Sequence, residues 1–138
     1  MRKFLVLGGL LLLAHAAHAA SVQVTVAGVR NNRGHVLVAL CSRADFLRPH
    51  CPWKAAVPAA PGDVTAIIEN VPPGTYAAQA FHDENDDGHL NRTLLGLPRE
   101  GMGFSNDAPM HFGPPGFEAA SFAVGKSDQR ISFKLRYW

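Results

Sequence analysis

Between Ser21 and Val29 the apolar residues Val22, Val24 and Val26 alternate with Gln23, Thr25 and Ala27. This is the two-residue period of a strand with one face buried. Arg30 to Gly34, rich in Asn and Gly, reads as a turn. In His35 to Cys41 the residues Val36, Val38 and Leu40 share one face and Leu37, Ala39 and Cys41 the other, so this strand is expected at the centre of a sheet. Pro49, Pro52, Pro58 and Pro61 are too frequent for a central strand or a long helix, and Ser42 to Gly62 reads as a loop. Asp63 to Glu69 and Thr75 to Phe81, joined by a Pro-Pro-Gly turn, read as a hairpin. From His82 to Ala120 runs a Gly-, Pro-, Asn- and Asp-rich excursion without sustained periodicity, a length unusual in a compact domain unless functional or clamped. Ser121 to Val124 and Arg130 to Tyr137 close the chain as strands, the latter with Ile131, Phe133, Leu135 and Tyr137 inward. Short strands, regular turns and no amphipathic helix predict an all-β chain, a single antiparallel β-sandwich with one long loop. The terminal Trp138 does not argue for an outer-membrane barrel strand, because Arg136, Lys134 and Ser132 are polar where lipid requires an apolar row.

The N-terminal pattern is of another kind. Met1-Arg2-Lys3 precedes an apolar run from Phe4 to Leu13, and Ala17-His18-Ala19 follows with the small-x-small signature of a signal-peptidase site. The run is shorter than the roughly 20 residues that cross a bilayer. A signal peptide over residues 1–19, cleaved after Ala19 or Ala20, is therefore expected, with one domain over 20–138 exported to the periplasm or beyond. Removing Arg2 and Lys3 leaves 13 − 2 = 11 basic side chains against 11 acidic ones. A neutral mature chain gives no electrostatic reason to expect nucleic acid or an anionic membrane as partner. In an oxidising compartment Cys41 and Cys51 are expected to form a disulfide closing a ten-residue loop, and no C-x-x-C spacing supports a redox or metal pair.

The chemistry concentrates in the excursion. Asp83-Glu84-Asn85-Asp86-Asp87-Gly88-His89-Leu90-Asn91 carries the first two thirds of an EF-hand-like calcium loop. Asp83, Asn85 and Asp87 can turn oxygens inward, Gly88 permits the bend, His89 can offer its backbone carbonyl, and Asn91 can bind directly or through water. Leu94 stands where a bidentate Glu is expected, so a structural calcium ion would need further oxygens, with Glu100, Asp107 and Glu118 as candidates. The competing expectation is a solvated turn whose Asp and Asn side chains bond their own backbone.

Other motifs are weaker. The Gly-rich stretch from Gly96 to Asn106 has no G-x-S-x-G elbow and no phosphate-loop lysine. Its glycines are expected to let Leu97, Met102 and Phe104 pack on the sandwich. Gly113 to Glu118 reads as a rigid turn delivering Phe117 to the core. The histidines His35, His50, His82, His89 and His111 lack zinc or copper spacing. No Ser/His/Asp or Cys/His set assembles, so the chain is read as a binding or structural module of unknown ligand rather than an enzyme. The runner-up is a transthyretin-like small-ligand or carbohydrate carrier with Tyr76, Phe104, Phe112 or Trp53 as stacking surfaces. A third reading is a hydrolase acting through His82 and Asp83.

Several blocks together resemble a known family: Val71-Pro72-Pro73-Gly74-Thr75-Tyr76-Ala77, Phe81-His82-Asp83-Glu84-Asn85 with Asp87-Gly88, Leu95-Gly96-Leu97-Pro98 with Glu100-Gly101, Gly103-Phe104-Ser105-Asn106, and Gly113-Pro114-Pro115-Gly116-Phe117-Glu118-Ala119-Ala120. In this order they resemble the bacterial exported family catalogued as domain of unknown function 2141, over essentially the whole mature chain. The resemblance implies an immunoglobulin-like or transthyretin-like sandwich exported by bacteria with an outer membrane. It also implies that the acidic loop and the Gly-Phe-Ser-Asn stretch form one feature, and it transfers no catalytic residue.

Overall fold

The alternating N-terminal valines become β1 (Ala20–Val29), with Ala20, Val22, Val24 and Val26 buried and the intervening residues half-buried, in a computed structural model that describes residues 9, 11 and 19–138. The expected signal segment lies, apart from Gly9, Leu11 and Ala19, outside the described residues. No helix among the described residues is long and apolar enough to cross a membrane. The remaining strands are β2 (His35–Cys41), β3 (Trp53–Pro58), β4 (Gly62–Val71), β5 (Gly74–Asp83), β6 (Met102–Phe104), β7 (Ser121–Val124) and β8 (Gln129–Lys134). A three-stranded sheet in the order β4-β1-β8 faces a five-stranded sheet in which β3, β2 and β5 run side by side, with β6 and β7 both paired to the far edge of β5. Val22, Val24, Val26, Val38, Leu40, Ile68 and Phe133 fill the space between them. One pairing departs from the antiparallel expectation: β8 runs parallel to β1.

Two local expectations are corrected. β4 and β5 form no hairpin, since β4 pairs with β1 and β5 with β2, β6 and β7. Pro72 and Pro73 lack the N–H that a ladder needs, and the chain crosses there from one sheet to the other. The Tyr76 hydroxyl fastens this crossing by donating to the Pro72 carbonyl at 2.7 Å. The segment read as a loop contains β3, an edge strand whose interior is proline-free and whose last residue is Pro58, the placement that an edge tolerates.

A second, smaller core lies on the outer face of the five-stranded sheet. Cys41 stands opposite Ala77 on that face, and its disulfide to Cys51 holds the intervening loop against the sheet. Phe46 of this loop packs edge-on against Phe104 and Phe117, with ring centroids 6.0 and 5.7 Å away. Phe117 comes from α1 (Phe117–Ala120), a single turn of helix. The buried Ser105 hydroxyl joins this layer to β5, accepting the Ala78 N–H at 2.9 Å and donating to the Ala120 carbonyl. Gly103 lies against the backbone of Lys134, where a β-carbon would come within 2.3 Å of the carbonyl oxygen. Met102 and Arg136 exchange backbone hydrogen bonds of 3.0 and 2.9 Å, closing one side of the sandwich.

Candidate metal site in the acidic loop

Strand β5 ends at Asp83, which is buried although it opens the acidic loop. Its Oδ1 accepts the Asp87 N–H at 3.2 Å and its Oδ2 the Gly88 N–H at 2.8 Å, so the loop folds back over the carboxylate. Asp86 and Gly88 adopt positive φ, 55° and 75°, to make that bend. Asp87 is exposed and accepts the His89 N–H at 2.9 Å. Asn85 is spent on Asp87, donating to its Oδ2 at 3.2 Å. Of the three candidates for completing the shell, Glu100 arrives. One carboxylate oxygen from each of Asp83, Asp87 and Glu100 lies within 4.8 Å of the others. Asn91 holds Glu100, donating from its side chain to Oε1 at 3.1 Å and from its backbone to Oε2 at 3.4 Å. Asp107 instead accepts the Lys134 N–H at 2.8 Å, and Glu118 pairs with Arg43.

Asp83 and Glu100 are both buried, and three carboxylates this close repel one another. Burial, assisted by the charges of Asp83 and Asp87 and opposed by the bonds from Asn91, raises the Glu100 pKa above the ordinary glutamate value. Asp87 moves the other way: the His89 N–H, then the Asn91, Asn85 and Asp83 side chains, lower its pKa against a smaller opposing effect of burial.

The loop is anchored by residues that its own pattern does not announce. Glu84 receives Arg30 at 2.6 Å and lies 3.7 Å from Arg33, and His35 Nδ1 is 2.7 Å from Asp86 Oδ1. Gly34 sits so close beneath Asp83 that a β-carbon there would lie 1.9 Å from the Asp83 carbonyl oxygen. His82 is fully buried, its Nε2 donating to the Arg33 carbonyl at 2.6 Å and its Nδ1 2.9 Å from the Tyr137 hydroxyl. Both ring nitrogens are thus committed inside the fold, whereas Asp83, next along the strand, points to the other face. The two do not form a joint constellation.

The profile of a family described as an uncharacterized protein conserved in bacteria, DUF2141, matches residues 24–132. The chain belongs to this family. No curated protein matches it. Among solved structures a pilus-presented adhesin, Spy0125 (Cpa), is similar at 16% identity and a TM-score of 0.35, over 88% of this chain and 27% of that one. The chain thus spans about a quarter of the adhesin's length.

In this DUF2141 domain the four aromatic residues expected to form a stacking surface do not gather. Tyr76 and Phe104 are buried, the first at the sheet crossing and the second in the outer core. Trp53 is half-buried and packs edge-on against Tyr76 with centroids 5.3 Å apart. Phe112 alone stands fully in solvent, beside a shallow cavity of about 380 Å³ that Leu97, Met110 and Trp138 also line. Leu97, expected to pack on the sandwich, is 48% exposed.

Proposed function

We propose that this family member is an exported binding or structural module whose acidic loop is ordered by a calcium ion held by Asp83, Asp87 and Glu100. One observation carries the reading: three carboxylates converge, two of them buried, and no basic side chain pairs with Asp83, Asp87 or Glu100 among the described residues. A hard divalent cation takes oxygen ligands and relieves that repulsion. Asn85 and Asn91 act here as positioning residues for Asp87 and Glu100, and the backbone carbonyl of His89 remains a further oxygen for the shell. The role is architectural, since such an ion fastens the long loop to the end of β5 and adds stability by linkage.

The same hydrogen bonds support a second reading, a turn that needs no metal, because Asp83 and Asp87 each accept backbone N–H groups of their own loop. Thermal melts of the mature, oxidised protein in EDTA, in millimolar calcium and in millimolar magnesium separate the two. Calcium binding is expected to raise Tm by several degrees, magnesium to do less, and Asp87→Ala to remove the calcium increment. Equal melts in EDTA and calcium would leave the self-bonded turn as the description of the loop.

A further inference from the structure

The two sheets present different outer faces. In the three-stranded sheet the cross-strand rows facing away from the core are Ile67–Gln23–Arg130 and Thr65–Thr25–Ser132, polar apart from Ile67. This is what a solvated sheet face normally carries. In the five-stranded sheet the corresponding rows are Ala56–Leu37–Phe81 and Lys54–Ala39–Gln79. Leu37, Ala39, Ala56 and Phe81 therefore make an apolar floor. Further along the same face, Ala77 and Phe104 are covered by the outer core, but these four are not.

The uncovered part is the floor of an open groove of about 660 Å³, walled on one side by residues 47–49 of the disulfide loop and on the other by residues 88–90 of the acidic loop. That volume falls within the range of small-ligand sites, about 300–1,000 Å³. Its charged lining has one sign. Arg48 and Lys54 both border the groove, no carboxylate does, and among the described residues neither cation is ion-paired. Three strands spaced about 4.8 Å apart give a floor about 10 Å across, enough to support an aliphatic chain of roughly eight to ten carbons. An apolar floor with unpaired cations at its rim complements a ligand with an apolar body and an anionic head.

We infer that this groove binds amphiphilic organic anions, with the body lying on Leu37, Ala39 and Phe81 and the head directed to Arg48 and Lys54. The floor and both cations lie outside the acidic loop, but residues 88–90 wall one side, so the titration is run in EDTA and again with calcium, and absence of binding counts against the groove only when it is seen in both. The probe is decanoate, followed by calorimetry below its micellar concentration, with hexanoate, octanoate and decanol for comparison. Saturable one-to-one binding is expected, strengthening about two- to four-fold for each added methylene that the floor covers. Arg48→Gln and Lys54→Gln are each expected to weaken decanoate about two- to five-fold, the range for a solvent-exposed charge pair, and to leave decanol unchanged. Ala39→Trp fills the floor and is expected to abolish binding. Ala56→Trp, on the exposed edge strand, serves the same purpose if the first variant melts abnormally. Absence of saturable decanoate binding in both conditions would overturn the proposal. So would binding that survives a folded floor-filling variant, or equal responses of decanoate and decanol to the loss of the two cations.

Discussion

Glu100 is where burial and charge act in the same direction, and this makes its effect on stability predictable in sign. Its raised pKa means that the folded protein, without a cation, keeps this proton to higher pH than the unfolded chain does. Across the window from the ordinary glutamate value up to the raised one, the folded state binds more protons, so stability falls as pH rises and stays lower above it. In EDTA at neutral pH, Glu100→Gln is therefore expected to melt higher than the wild type and to flatten the pH dependence across that window. In calcium the order is expected to reverse, because the wild type gains an ion while the variant has lost a charged ligand. A variant that melts lower in both conditions would show that Glu100 stabilises the loop as a plain hydrogen-bond acceptor for Asn91. Asp87 has the opposite sign: its lowered pKa contributes stability present above the ordinary aspartate value and lost as pH falls through the lowered one. The alternating Asp83, Asn85 and Asp87 are legible in the sequence because a turn brings near neighbours together. The choice of Glu100 over Asp107 and Glu118 is not, because it depends on the path of an irregular chain that pins Asp107 to β8 and Glu118 to Arg43.

Among the elements, the disulfide loop does most to shape the outer face, since it delivers Phe46 to the second core and also walls the groove. Closing a ten-residue loop restricts the unfolded chain by about 2.5–3 kcal/mol on the chain-entropy account. The double substitution Cys41→Ala, Cys51→Ala is expected to lose about that much stability in chemical denaturation, with Tm lower by roughly 10 °C for a domain of this size. A loss below about 1 kcal/mol would mean that the aromatic packing of Phe46 holds the loop unaided. The bond between Cys41 and Cys51 is legible from the expected export and an even cysteine count, and β1, β2 and β8 from their alternation. Partner choice is less so. Pro72-Pro73-Gly74 marks a reversal of direction locally but carries nothing about whether the next strand stays in its sheet, and here it changes sheets. Strand β3 is hidden by prolines that turn out to flank it or, at Pro58, to end it. Tyr76 is buried rather than a stacking surface for a related reason, since an aromatic on an alternating strand is exposed or buried according to the cover over its face. The packing of Phe104, by contrast, is expected from the sequence, and only the aperiodic segments that cover it are not legible there.

For the molecule as a whole, the pairing pattern sets which parts open first. β1 is flanked by β4 and β8, β2 by β3 and β5, and β5 by β2 on one side and β6 and β7 on the other. Their backbone groups are paired in both directions, and their inward side chains, with Val22, Val24, Val38 and Leu40, are among the most deeply buried apolar residues. β8 has a strand partner only in β1, although the Met102–Arg136 bridge secures the chain just beyond it, and β3 pairs only with β2. Local opening requires the loss of the contacts that a segment itself makes, so amide exchange should follow this hierarchy. The slowest amides are expected in β1, β2 and β5, intermediate ones in β4 and β8, and faster ones in β3. The fastest are expected at Leu94 and Leu95, which are almost wholly exposed, in contrast to the hydrogen-bonded amides of Thr93, Gly96 and Leu97. Calcium adds a second axis to the same experiment. An ion bridging Asp83, Asp87 and Glu100 couples the end of β5 to the segment before β6, so protection should rise together at residues 86–91 and near 100 and leave β3 unchanged. A uniform rise over the whole chain would mean that calcium acts on global unfolding alone, whereas no rise at 86–91 would separate the loop from any bound ion.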